Sequence, residues 1–127
     1  MDNQRPVIER FEPQDIGQKP WGREILVART DTYIAKILLM RAGWGGHLQY
    51  HNAKDEAFTL YSGEALLRWT TPDGELHERE IGAGECYHIP PGAGHQVIAK
   101  TDCVLFEAST PHFDDRVIIA PFEGPAR

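Results

Sequence analysis

Beyond position 22 the chain alternates short apolar runs with turn-forming residues, roughly every eight to twelve positions, the rhythm of an all-β barrel or sandwich. The runs fall at 24–29, 33–41, 47–52, 57–61, 64–70, 75–81, 85–89, 95–99, 103–108 and 116–120. Between them lie Ser62-Gly63, Thr71-Pro72-Asp73-Gly74, Gly82-Ala83-Gly84 and Pro90-Pro91-Gly92-Ala93-Gly94. Proline presets φ and glycine accepts positive φ, so these are tight turns. No stretch holds a helical apolar period long enough for a substantial helix.

Side chains two apart on a strand share a face. Glu56 therefore shares a face with Phe58 and Leu60, and His95 with Val97 and Ala99. His47, Gln49 and His51 point one way. On 33–41 both faces are apolar: one carries Tyr33, Ala35, Ile37 and Leu39, the other Ile34, Lys36, Leu38 and Met40. Phase alone leaves open whether Lys36 points inward. Residues 1–19 are polar and broken by Pro6, Pro13 and Gly17, so an N-terminal arm is expected there, partly extended, with at most a short strand near Val7-Ile8. The barrel is expected over 20–121 and a tail over 122–127.

Composition narrows the possible partners. At 127 residues the chain is long enough to bury one core. A formal net charge of -6, with no Lys/Arg cluster, argues against nucleic acid, whose phosphates demand clustered cations. No apolar run approaches the roughly 20 residues of a membrane span, and no apolar segment follows the N-terminus as in a secretory leader. Cys86 and Cys103 lack metal or redox spacing, which fits two free thiols in a reducing cytoplasm. Gly82-Ala83-Gly84 leads into another strand, so no helix N-terminus is there to hold phosphate. No Gly-x-Ser-x-Gly elbow is present.

Chemistry concentrates in the stretch from His47 to Glu56. Imidazoles, an amide and a carboxylate from one hairpin form a ligand set for a divalent metal. His51 is followed after four residues by Glu56, and after six more by Gly63. Gly84, then five residues, Pro90-Pro91-Gly92, two residues and His95 make a second motif. Together these resemble the paired motifs of the cupins, with Gln49 standing in the place of the first histidine and Ala99 in that of a final asparagine. Lys19-Pro20-Trp21-Gly22, Ala35-Lys36-Ile37, Leu48-Gln49-Tyr50-His51, Ser62-Gly63 and Phe113-Asp114-Asp115-Arg116-Val117 are most similar to the cupin domain of type II mannose-6-phosphate isomerases. The resemblance covers about 19–120. It departs at Ala53, where those enzymes often carry a histidine, and at His47, which replaces a serine.

The resemblance implies a single cupin fold, a double-stranded β-helix or jelly-roll antiparallel barrel. It implies one divalent metal (Zn, Mn, Fe, Co or Ni) on Gln49, His51, Glu56 and His95. Two open positions on a six-coordinate ion would suit an adjacent hydroxyl and carbonyl, as in aldose–ketose isomerisation of a sugar or sugar phosphate. His47, about 6.6 Å from Gln49 and roughly 13 Å from His51 along a strand, is placed as a substrate-facing catalytic base, with Lys36 as the other candidate. Arg41, Arg68 and Arg116 are available as a phosphate clamp. Two alternatives stand: a dioxygenase using Fe(II) or Cu, and a non-catalytic sugar-binding or regulatory module. His77, His88 and His112 are expected to be ordinary core or surface residues. Trp69 is expected in the core, Trp44 over the barrel mouth, and a homodimer is expected from the sheet edges.

Overall fold

The computed structural model describes residues 4–125, and within them it holds eleven strands and no helix. In chain order these are β1 (Gln14–Lys19), β2 (Gly22–Arg29), β3 (Ile34–Met40), β4 (Leu48–His51), β5 (Glu56–Ser62) and β6 (Glu64–Thr70). There follow β7 (Leu76–Gly82), β8 (Cys86–Ile89), β9 (His95–Ala99), β10 (Cys103–Ser109) and β11 (Arg116–Ala120). One sheet runs β1-β2-β3-β10-β5-β8 and the other β11-β4-β9-β6-β7. Every paired strand is antiparallel.

The expected strands all form, with ends shifted by a residue or two. One element differs from expectation. Val7 and Ile8 lie outside any strand, 81% and 100% exposed, and the arm instead contributes β1 at Gln14–Lys19. β1 is an edge strand whose register on β2 slips between Asp15 and Gly17. Water covers most of its side chains, so its sequence needs no apolar alternation and shows none.

Alternation along the strands gives the barrel an apolar half and a polar half. Leu60, Cys103, Met40 and Ala99 are buried in one core cluster with Phe58, Leu105, Leu67 and Ile81. Two-residue steps along the same strands lead out of that core: Leu60 to Phe58 to Glu56, Cys103 to Leu105 to Glu107, and Ala99 to Val97 to His95. On β3 the same step takes Met40 through Leu38 to Lys36, which is buried; the inward face is therefore the one with Lys36. The outer face of this sheet is also apolar, in the cross-strand row Ile25–Ile37–Phe106, which is why phase alone could not choose.

Trp69 packs against the core as expected and stacks on His77, ring centroids 5.6 Å apart. Trp44 lines the cavity within the barrel, its ring 6.2 Å from that of Phe122. Cys86 and Cys103 are both free thiols. No helix among the described residues is long and apolar enough to cross a membrane.

Candidate metal centre

The barrel encloses a cavity of about 840 Å³ whose walls include Gln49, His51, Glu56 and His95. β4 supplies Gln49 and His51, β5 begins on Glu56, and β9 begins on His95. Gln49 and His95 are direct cross-strand partners, so the two halves of the sequence pattern meet through one register pair. One ligand-type atom from each of His51, Glu56 and His95 falls within 4.8 Å of the others. Glu56 Oε1 is the common point, 2.9 Å from His95 Nε2 and 3.7 Å from His51 Nε2.

Both imidazoles are oriented from behind. His51 Nδ1 donates to Asp115 Oδ1 at 3.1 Å, and His95 Nδ1 donates to the Ala93 carbonyl at 2.9 Å. Each Nε2 is thereby left facing Glu56, the arrangement in which a histidine offers a lone pair to a metal. Gln49 Oε1 is buried with no hydrogen-bond partner. A buried acceptor costs free energy unless something satisfies it. Two imidazole nitrogens, a carboxylate oxygen and an orphaned amide oxygen fit a borderline divalent ion.

Charge in the site is balanced by burial and pairing. Burial would raise Glu56, but the hydrogen bond from His95 and the charge of Lys54 outweigh it and hold the carboxyl at about 2. Burial lowers His51 more than Glu56 and Asp115 raise it. His95 is also pushed down by burial, yet its bonds to Glu56 and to the Ala93 carbonyl raise it overall. The 2.9 Å contact between His95 Nε2 and Glu56 Oε1 thus occupies the two atoms for which a metal would compete.

The sequence pattern had no means of finding three further residues. Lys54 is buried, its Nζ 3.2 Å from Glu56 Oε2 and 3.0 Å from Glu107 Oε1. Burial and the nearby Glu56 charge lift Glu107 above the ordinary carboxylate range, against the pull of Lys54. Asp115, in the loop before β11, accepts from the backbone N–H groups of Ala53 and Lys54 as well as from His51. The acidic segment at 113–117 was a visible signal, though not of this contact.

The other expected residues divide. His47 lines the cavity, and its Nδ1 accepts the Phe122 backbone N–H at 2.8 Å. Lys36 lines it too, with Nζ 3.7 Å from Glu24 Oε2. Of the three arginines, Arg116 alone borders the cavity. Arg41 donates to the Pro20 carbonyl and lies over Trp44, while Arg68 is held by Gln96 and Glu78. Arg29, not anticipated, also borders the cavity with its guanidinium 4.7 Å from the Phe113 ring centroid. His88 pairs with Asp55 and His112 with Thr110, both exposed interactions away from the centre.

Known proteins agree with this architecture. The mannose-1-phosphate guanylyltransferase of Escherichia coli (strain K12) is 30% identical over 77 residues, which make up 61% of this chain and 15% of that protein. The capsular polysaccharide assembling protein CapF from Staphylococcus aureus superposes with a TM-score of 0.76 at 20% identity, over 87% of this chain and 32% of its own. Oxalate decarboxylase from Bacillus subtilis, in a structure concerned with its Mn(II) centres, gives 0.69 at 18% identity, over 84% of this chain and 30% of that one. The chain thus spans about a third or less of each of these proteins. A family model described as "Cupin domain" matches residues 37–108, which run from β3 through β10 and include Gln49, His51, Glu56 and His95, and the chain belongs to the cupin family.

Proposed function

We propose that this cupin holds one divalent metal on Gln49, His51, Glu56 and His95 and acts on a small sugar or sugar phosphate as an aldose–ketose isomerase. The observation that carries it is the convergence of His51, Glu56 and His95 on one point beside an unpartnered Gln49 Oε1, inside a cavity of about 840 Å³. The Mn(II) centres of oxalate decarboxylase and the partial identity with a mannose-1-phosphate enzyme support the metal and the substrate class respectively. The ion, when bound, would polarise a substrate carbonyl and steady the enediolate.

The chain's own groups would do the rest. Lys36, its side chain 10% exposed, offers ammonium hydrogens to a substrate oxygen. His47, whose Nδ1 accepts the Phe122 N–H, lines the cavity with its other ring nitrogen available for proton exchange with a substrate oxygen. Glu107 lines the cavity too, its Oε1 3.0 Å from Lys54 Nζ, and is the carboxylate placed to take and return a proton between adjacent carbons. Arg29 and Arg116 border the cavity where an anionic substituent would lie. A cytoplasmic homodimer completes the proposal. It is supported by free thiols and by the outward Tyr61 and Phe106, 63% and 41% exposed with ring centroids 5.1 Å apart.

Elemental analysis of the purified protein, then of His51→Ala and His95→Ala, tests the site; near-stoichiometric metal in both variants would sink it. Interconversion across a panel of sugar phosphates, set against metal-dependent oxygen consumption, tests the reaction. Oxygen uptake would favour a dioxygenase, and saturable sugar binding without turnover a binding module.

A further inference from the structure

Lys54 is the least expected charge in the barrel. Its side chain is 9% exposed and it sits between two carboxylates, Glu56 and Glu107. Glu56 consequently divides its oxygens. Oε1 faces the Nε2 atoms of His51 and His95, while Oε2 faces the Lys54 ammonium at 3.2 Å. Glu107 fixes the other side of that ammonium at 3.0 Å, and Glu107 is itself held by β10 in register with Lys36 on β3.

A carboxylate can bind a metal through one oxygen or two, and the second mode requires both oxygens to turn toward the ion. An ammonium on Oε2 competes for that turn. We propose that Lys54, anchored by Glu107, restricts Glu56 to single-oxygen coordination and so preserves one of the positions at which a substrate reaches the metal. This rests on the metal assignment proposed above. Lys54 is therefore a positioning residue: it acts through Glu56. Four single-atom protein ligands on an octahedral ion leave about two positions, and a two-oxygen Glu56 would leave about one.

Water-proton relaxation of the Mn(II)-loaded protein counts the exchangeable waters on the ion. The wild type is expected to show about two and Lys54→Met about one, with Lys54→Arg keeping about two. Metal affinity gives an independent readout. Removing a cation beside a ligand carboxylate should leave Mn(II) bound at least as tightly, whereas damage to a merely structural residue would loosen it. If Lys54→Met fails to fold because two buried carboxylates lose their partner, the double variant Lys54→Met/Glu107→Gln removes a charge of each sign and is expected to show the same single water. Bound Mn(II) with an unchanged water count in the lysine variants overturns the inference. A wild-type protein that binds no divalent metal overturns it together with the site assignment, and that result is read before any variant is made.

Discussion

Asp115 Oδ1 accepts from His51 Nδ1 at 3.1 Å across sixty-four residues of sequence, while Oδ2 of the same carboxylate receives the Ala53 and Lys54 N–H groups at 2.7 Å each. One side chain thus orients an imidazole and closes the loop that carries Lys54 toward Glu56. Burial would raise the Asp115 pKa, but those two N–H groups and His51 hold it below the usual carboxylate value.

Asp115→Asn keeps the shape but cannot present an acceptor to the ring and the two amides at once. Metal affinity by calorimetry is expected to fall about 10- to 100-fold, as when such supporting partners are removed elsewhere. Asp115→Ala should in addition cost about 1–3 kcal/mol in urea unfolding, since it strands the loop amides. Unchanged affinity in both variants would remove Asp115 from the centre.

Gln49 gives the opposite signature with and without metal. Its Oε1 is a buried acceptor with no partner. In metal-free protein Gln49→Leu is expected to be neutral, or stabilising by up to about 1–3 kcal/mol, because an unsatisfied group is removed. Added Zn or Mn should then raise the melting temperature less than in the wild type, since the stabilisation follows RT ln(1 + [L]/Kd). An equal metal-induced rise would show that the amide does not ligate.

His51, Glu56 and His95 were legible because strand alternation and motif spacing are local rules, and the resemblance supplied the pairing of the two halves. The inward direction of Lys36 was not legible, since an apolar outer face erased the contrast that phase depends on. The contacts of Lys54, Glu107 and Asp115 were hidden for another reason. Lys54 and Glu107 lie fifty-three residues apart and His51 and Asp115 sixty-four, and no periodicity links positions brought together by a β10 crossover or a loop before β11. The strand at Gln14–Lys19 was hidden by its position at a solvated edge.

The two thiols should differ sharply in reactivity. Cys103 is 2% exposed, and burial pushes its thiol above the usual value, with partial relief from hydrogen bonding at Thr101 and Glu64. Cys86 is exposed at the sheet edge. The thiolate is the nucleophile, so iodoacetamide near pH 8 is expected to label Cys86 alone in native protein and both after unfolding. Mass mapping of the labelled peptides checks this; fast native labelling of Cys103 would contradict its burial.

Gly63 joins a strand of one sheet to a strand of the other, β5 to β6, with φ at +96°. A Cβ there would come 2.4 Å from the Asp102 carbonyl oxygen and 2.8 Å from Cys103 Sγ. Gly74, in the β6–β7 turn, has a similar φ of +84° but open space around it. Alanine at either position carries the left-handed penalty of about 1–2 kcal/mol. Only Gly63→Ala also forces the Asp102 backbone aside, and Asp102 Oδ1 holds the Ala42 N–H while Val104 pairs with Ser62 just beyond. The displacement would therefore reach the β5–β10 ladder that carries Glu56 and Glu107, adding roughly 1–3 kcal/mol as overpacked sites do. Urea unfolding of the two variants side by side measures the difference. Equal losses would mean that the junction relaxes freely and that Gly63 is needed for its φ alone.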